Sequence, residues 1–119
     1  MDHIALGRWG EDLAVAYLKE RGYVIRDRNW RYQKSELDII CQWGNSILVV
    51  VEVKTRNSDF FGDPQSFVNG QKIKHTVKAT HQYVLLHDLD MEIRFDIIAI
   101  LKNNHQQQLK HFENAFYHF

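Results

Sequence analysis

Two hydrophobic periods succeed one another along the chain. Over residues 2–21, Leu6, Trp9, Leu13 and Tyr17 recur at three- and four-residue steps, which predicts a helix with one apolar stripe. Gly22 stands where a C-terminal glycine would stop that helix. Tyr23-Val24-Ile25 then opens a strand running towards Trp30. Over residues 36–42 the period becomes two, with Leu37, Ile39 and Cys41 expected on one side and Glu36, Asp38 and Ile40 on the other. Gly44-Asn45 is a turn signal, and the β-branched run that follows from Ile47, interrupted only by Glu52, predicts a central strand buried on both faces. Residues 55–70 hold Asn57-Ser58-Asp59, Gly62-Asp63-Pro64 and Asn69-Gly70, and are expected to form the most mobile segment, a loop beside the functional site. A second helix is expected over 70–86 with Asn69 as its N-cap, then a strand over 93–101 and a weaker one over 108–112.

This order of elements predicts an α/β fold, a mixed sheet flanked by helices. A length of 119 residues suits one domain over 1–119, and a hydrophobic content of 45% suits an ordinary core. One proline and six glycines, with no internal repeat, argue against a disordered or repetitive chain. The lone Cys41 forms no internal disulfide framework, which fits a reducing compartment. No apolar run reaches membrane-span length, and Met1-Asp2-His3-Ile4 opens no signal peptide, so the expected location is the cytoplasm, with no membrane partner.

The 15 basic and 15 acidic residues balance to a formal net charge of zero, which weighs against bulk electrostatic binding of DNA. The distribution is uneven, however. Arg21, Arg26, Arg28, Arg31 and Lys34 form one basic set and Lys72, Lys74 and Lys78 another, while Asp88, Asp90, Glu92 and Asp96 concentrate acid. A two-faced surface and an ordinary solvated one both fit this pattern.

Two acids sit inside apolar strand sequence, Asp38 and Glu52. A carboxylate there is costly unless it is paired or holds a metal. Lys54 shares the strand face of Glu52, and a hairpin through Gly44-Asn45 would bring both towards Asp38. Two carboxylates suit Mg²⁺ (or Mn²⁺) with positions left for water and a phosphate oxygen, and a neighbouring lysine suits the orientation of an attacking water. A buried ion-pair network is the competing reading of the same three residues.

The spacing of Asp38, thirteen residues, then Glu52-Val53-Lys54 resembles the PD-(D/E)XK nuclease signature, with Leu37 in the place of the proline. The resemblance extends to Gly7-Arg8-Trp9-Gly10-Glu11, Gly22-Tyr23, Arg28-Asn29, Ser35-Glu36-Leu37-Asp38-Ile39-Ile40, Val51-Glu52-Val53-Lys54-Thr55-Arg56, Phe61-Gly62-Asp63-Pro64, Lys72, Arg94-Phe95-Asp96 and Asn114-Ala115-Phe116. Together these look like the YraN family, a bacterial family whose endonuclease activity is inferred mainly from such motifs. Ser35 departs from the glycine usual there. The resemblance implies a restriction-endonuclease-like fold similar to Holliday-junction resolvases, Glu11 as an accessory metal ligand, and a homodimer.

The expected function is a metal-dependent DNA endonuclease acting on branched or otherwise structured DNA, with Asp38 and Glu52 as metal ligands and Lys54 as the water-orienting group. The alternative is a non-catalytic nucleic-acid-binding or adaptor module with a nuclease-like fold. Arg28, Arg31, Arg56, Lys72 and Lys74 are the candidate DNA contacts, each with a surface role as its alternative. Glu36 is expected to support a neighbour, Asp96 to pair with Arg94, and Cys41 to be a packed thiol. The seven histidines form no metal-ligand pattern and are read as surface residues. Trp9, Trp30 and Trp43 are assigned to core packing ahead of base stacking.

Overall fold

The central strand carries an apolar run through most of its length, and the remaining elements are laid out on either side of it. The structure is a computed structural model and describes residues 2–57 and 69–116. Its elements are α1 (His3–Glu20), β1 (Val24–Tyr32), β2 (Ser35–Trp43), β3 (Ile47–Arg56), α2 (Gly70–Leu86), β4 (Glu92–Lys102) and β5 (Gln107–Phe112). The described strands form one sheet in the order β1-β2-β3-β4-β5. Only β3 and β4 run parallel; α2 lies between them in sequence. This is the expected α/β arrangement, a mixed sheet flanked by helices, and it agrees with a restriction-endonuclease-like fold.

Local chemistry sets the helix ends. Asp2 caps α1 by accepting from the Ala5 N–H at 2.7 Å. At the other end Gly22 takes φ +94°, its N–H reaches Lys19 O, and the Tyr23 N–H reaches Leu18 O, which together make a Schellman cap. Asn69 caps α2 as expected, accepting from the Lys72 N–H at 2.8 Å.

The two helices cover opposite faces. Ala14, Val15 and Leu18 of α1 pack with Ile39, Cys41, Val49, Val51, Ile98 and Ile100. Ala79 and Tyr83 of α2 pack with Ile40, Leu48, Val50, Phe95 and Ile97. Cys41 is fully buried and its Sγ–H donates to Val49 O; burial pushes the thiol up to about 12, so it is the packed thiol expected. Trp9 and Trp30 pack against the two cores, whereas Trp43 is 45% exposed and lies against Tyr23.

Three expectations change. Leu37 packs on the α2 side with Ile40, and so parts from Ile39 and Cys41. The cause lies in the partner strand: Asn29, across from Asp38 between the rungs Arg28↔Ile39 and Trp30↔Leu37, has φ +51° and breaks the even pleat. Thr55 and Arg56 belong to β3, because β4 supplies partners as far as Leu101. The remainder of the expected loop lies mostly in 58–68, outside the described residues, and its mobility with it. His111 is not at the surface. Its ring sits between Asp96, 2.7 Å from Nε2, and the Tyr17 hydroxyl, 3.2 Å from Nδ1.

Asp96 is fully buried and pairs with Arg94 as expected, through contacts of 2.9 and 2.8 Å. It therefore leaves the acidic surface set. Burial alone would raise its carboxyl, but hydrogen bonds from His111, Arg94 and the Asn114 N–H outweigh that and hold it below the usual range. This hub joins β4 to β5, and through Arg94 and the Tyr23 hydroxyl it reaches the chain just ahead of β1.

One close approach fixes α1 over β3. A methyl group on Gly10 would overlap the Thr55 hydroxyl, so glycine is needed there for contact rather than for conformation. Gly10→Ala is expected to destabilise by ~1–3 kcal/mol through overpacking, despite the ~1 kcal/mol that alanine offers a helix. In a Thr55→Ala background the same substitution should become neutral or stabilising. Urea unfolding of the four proteins of this double-mutant cycle checks it, and equal effects in both backgrounds would refute the contact.

Candidate functional site

The site begins where two strands separate. The β2–β3 ladder runs from Trp43↔Ile47 to Ile39↔Val51 and stops there. Both strands continue, β2 alongside β1 as far as Ser35 and β3 alongside β4 as far as Arg56. Asp38 is the first residue of β2 beyond the last rung. Its Oδ2 accepts from the Val53 N–H at 2.9 Å, serving an amide that the ladder no longer reaches.

Glu52 lies beside it on β3, only 9% exposed, in register with Ile97 of the α2-side core. From the first turn of α2, Lys72 brings its ammonium to 3.5 Å from Glu52 Oε1. Burial is the main cause that raises the Asp38 carboxyl, from 3.8 to about 7; repulsion by Glu52 and Glu11 adds to it, while the Val53 N–H and Lys72 oppose it. Glu52, Lys72 and Glu11 thus all act on Asp38.

A cleft of about 690 Å³ opens from this gap towards α1, walled by Arg8 and Glu11 of α1, Asp38 of β2, and Lys54 and Arg56 of β3. Glu11 points into the fold, as its motif position implied. It accepts from Arg28 Nε at 3.1 Å and from Asn29 Nδ2 at 2.9 Å, the residue whose left-handed backbone interrupts β1. Among the described residues, no group of three or more His, Cys, Asp or Glu side chains is arranged to hold a metal ion. Asp38 and Glu52 are the adjacent pair, and the carboxylate of Glu11 is engaged by its neighbours. Hard oxygens on a desolvated pair suit Mg²⁺ or Mn²⁺, which keeps several waters and takes few protein ligands.

The candidate DNA contacts divide. Arg56 lines the cleft. Arg28 also lines it, but is bonded to Glu11 and, at 2.6 Å, to Asp12. Arg31 pairs with Glu36 at 3.0 Å, so Glu36 supports a neighbour as expected. Lys72 faces Glu52, and Lys74 borders a separate apolar hollow with Ile73 and Val77. Sequence reasoning passed over Arg8, which lines the cleft three residues before Glu11. That spacing places both on one helix face and was the available signal.

Residues 10–100 match the model of a family described as "Uncharacterised protein family UPF0102". A UPF0102 protein of Flavobacterium psychrophilum is 55% identical, over 99% of this chain and 98% of its own length. One of Christiangramia forsetii is 48% identical over 99% and 98% of the two chains. One of Bacteroides thetaiotaomicron is 47% identical over 98% and 95%.

A carboxyl raised by folding stabilises the native state while it is protonated. The contribution of Asp38 is complete below its ordinary value of 3.8 and is lost as pH rises through about 7. The loss is on the order of a few kcal/mol. Asp38→Asn keeps an acceptor for Val53 and removes the titration. In chelator-containing buffer the variant should gain stability relative to the wild type between about pH 4 and pH 8. Urea midpoints at the two ends check this, and parallel pH dependence of the two proteins would refute the placement of Asp38.

Proposed function

The chain belongs to the UPF0102 family, and from that premise we propose that it is a divalent-metal-dependent DNA endonuclease acting on branched or otherwise structured DNA. One observation carries the reading: a desolvated Asp38, repelled by Glu52 in the gap between two strands, lines a cleft together with Lys54, Arg8 and Arg56. Buried acids that repel one another are costly to stability, and a cation bridging them makes the expense useful.

Asp38 and Glu52 would hold the ion, with Glu11 joining through a water or after release from Arg28. When bound, Mg²⁺ or Mn²⁺ supplies a water of lowered pKa and offsets charge on the transferred phosphoryl group. The chain's own residues do the rest. The Val53 N–H fixes the Asp38 carboxylate. Lys54, which lines the cleft, would orient the attacking water and offset the developing negative charge. Arg8 and Arg56 line the approach and fit the phosphates on either side of the scissile one. Cutting both strands of a junction calls for two such clefts, so a homodimer goes with this proposal, as does a reducing cytoplasm for the buried Cys41. Among the described residues, no helix is long and apolar enough to cross a membrane.

A second reading, a nucleic-acid-binding or adaptor module without turnover, is favoured by a specific observation. Glu11, Arg28, Arg31 and Lys72 already neutralise one another or nearby acids, and no three-ligand group stands among the described residues.

The two readings separate in a titration of Mg²⁺ and Mn²⁺ with linear, flapped and four-way DNA, following cleavage and binding in parallel. An endonuclease should cut at least one of these. Lys54→Ala should slow cutting by about 10²–10³-fold and Glu52→Gln should abolish it, with DNA affinity largely kept because distributed phosphate contacts carry it. Binding without cutting supports the module, and neither binding nor cutting overturns both.

A further inference from the structure

The cation that contacts the Glu52 carboxylate comes from the helix over that face of the sheet rather than from the strand motif. Lys72 approaches from α2, in a turn held in place by the Asn69 cap. Its ammonium is 3.5 Å from Glu52 Oε1; the acid side chain is 10% exposed and the lysine 39%. The acid is therefore fixed in the sheet, and the base reaches it from a partly solvated position. The same ammonium acts on Asp38, where it opposes the effect of burial.

The charge at this point is incomplete. When both carboxylates are ionised, the single ammonium in contact with Glu52 leaves a negative charge uncompensated in a partly dry gap. A divalent ion would balance the pair in full, but it would need the oxygen that Lys72 faces. Lysine can give up such a place readily, since its charge rides on a flexible four-carbon stem and the solvated side of the site lies behind it.

Resting on the metal-site reading above, we propose that Lys72 is a tethered counter-cation at the Asp38–Glu52 pair, which a divalent ion must displace from Glu52. Lysine and metal then compete for one carboxylate. Lys72 holds the acids together while no ion is bound and, by the same contact, weakens ion binding.

The test is a calorimetric titration of the full chain with Mn²⁺, without DNA, comparing wild type with Lys72→Met, Lys72→Arg and Glu52→Gln. Lys72→Met is expected to bind about tenfold more tightly or better, since it removes a charge in competition at contact distance. Lys72→Arg should remain near the wild type, and Glu52→Gln should lose binding. Wild-type binding that Glu52→Gln abolishes and Lys72→Met fails to tighten overturns the counter-cation and leaves the metal site standing. Binding by Lys72→Met but not by the wild type supports displacement in its strongest form. No binding by either protein overturns both ideas. A second measurement needs no variant. Amine acetylation of the wild-type protein, read by mass spectrometry against the exposed Lys19, should find Lys72 more reactive once Mn²⁺ is added. Unchanged or reduced reactivity overturns the displacement.

Discussion

The hydrogen bond from the Val53 N–H to the Asp38 carboxylate is the contact on which the rest of the site depends. A sheet that splits down the middle exposes unpaired amides, and an unpaired buried amide is expensive. Here a side chain of one strand closes the gap left by its own backbone. The separation of β2 from β3 is thereby tolerated, and the cleft exists because of it. The acid that closes the gap is brought up against Glu52 and away from water. Structural necessity and chemical potential thus rest on one carboxylate, which explains how a strongly perturbed acid is kept in an otherwise apolar sheet.

Around that point the molecule balances charge locally. Arg28 holds Glu11 and Asp12, Arg31 holds Glu36, Arg94 holds Asp96, and Lys72 faces Glu52. Among the described residues, Arg28, Arg31, Lys72 and Arg94 are matched in this way, out of 15 lysines and arginines in the chain. A cation paired in this way adds little to the long-range attraction of a polyanion.

Much of the fold was legible because it is periodic. The α1 stripe, the unbroken β3 run, the Asn69 cap and Gly22 each announce a local preference, and each holds. What escaped is what depends on partners distant in sequence. The side on which Leu37 packs follows from a left-handed Asn29 one strand away. The length of β3 is set by β4, nearly fifty residues downstream. His111 looks like any polar residue of a weak strand until Asp96 is known to be buried against it. In the site, the motif named Asp38, Glu52, Lys54 and, through the family pattern, Glu11, because residue type and spacing encode them. Which cation faces which acid is not a matter of spacing, so Arg28 and Lys72, whose residue type suits phosphate, each face a carboxylate that the sequence alone does not reveal.

The Asp96 hub has a consequence for the order in which the protein is made. Asp96 and Arg94 belong to β4, whereas His111 and the Asn114 N–H follow in the chain. A ribosome delivers β1 to β4 first, so a nascent sheet already complete around its parallel pair still carries a buried charge with half its partners missing. Closure waits for residues 111–116, and Ala115, whose N–H bonds to Phe95 O, fastens the same corner. Until then the half-made sheet keeps a buried charge and a reason to stay open at this corner.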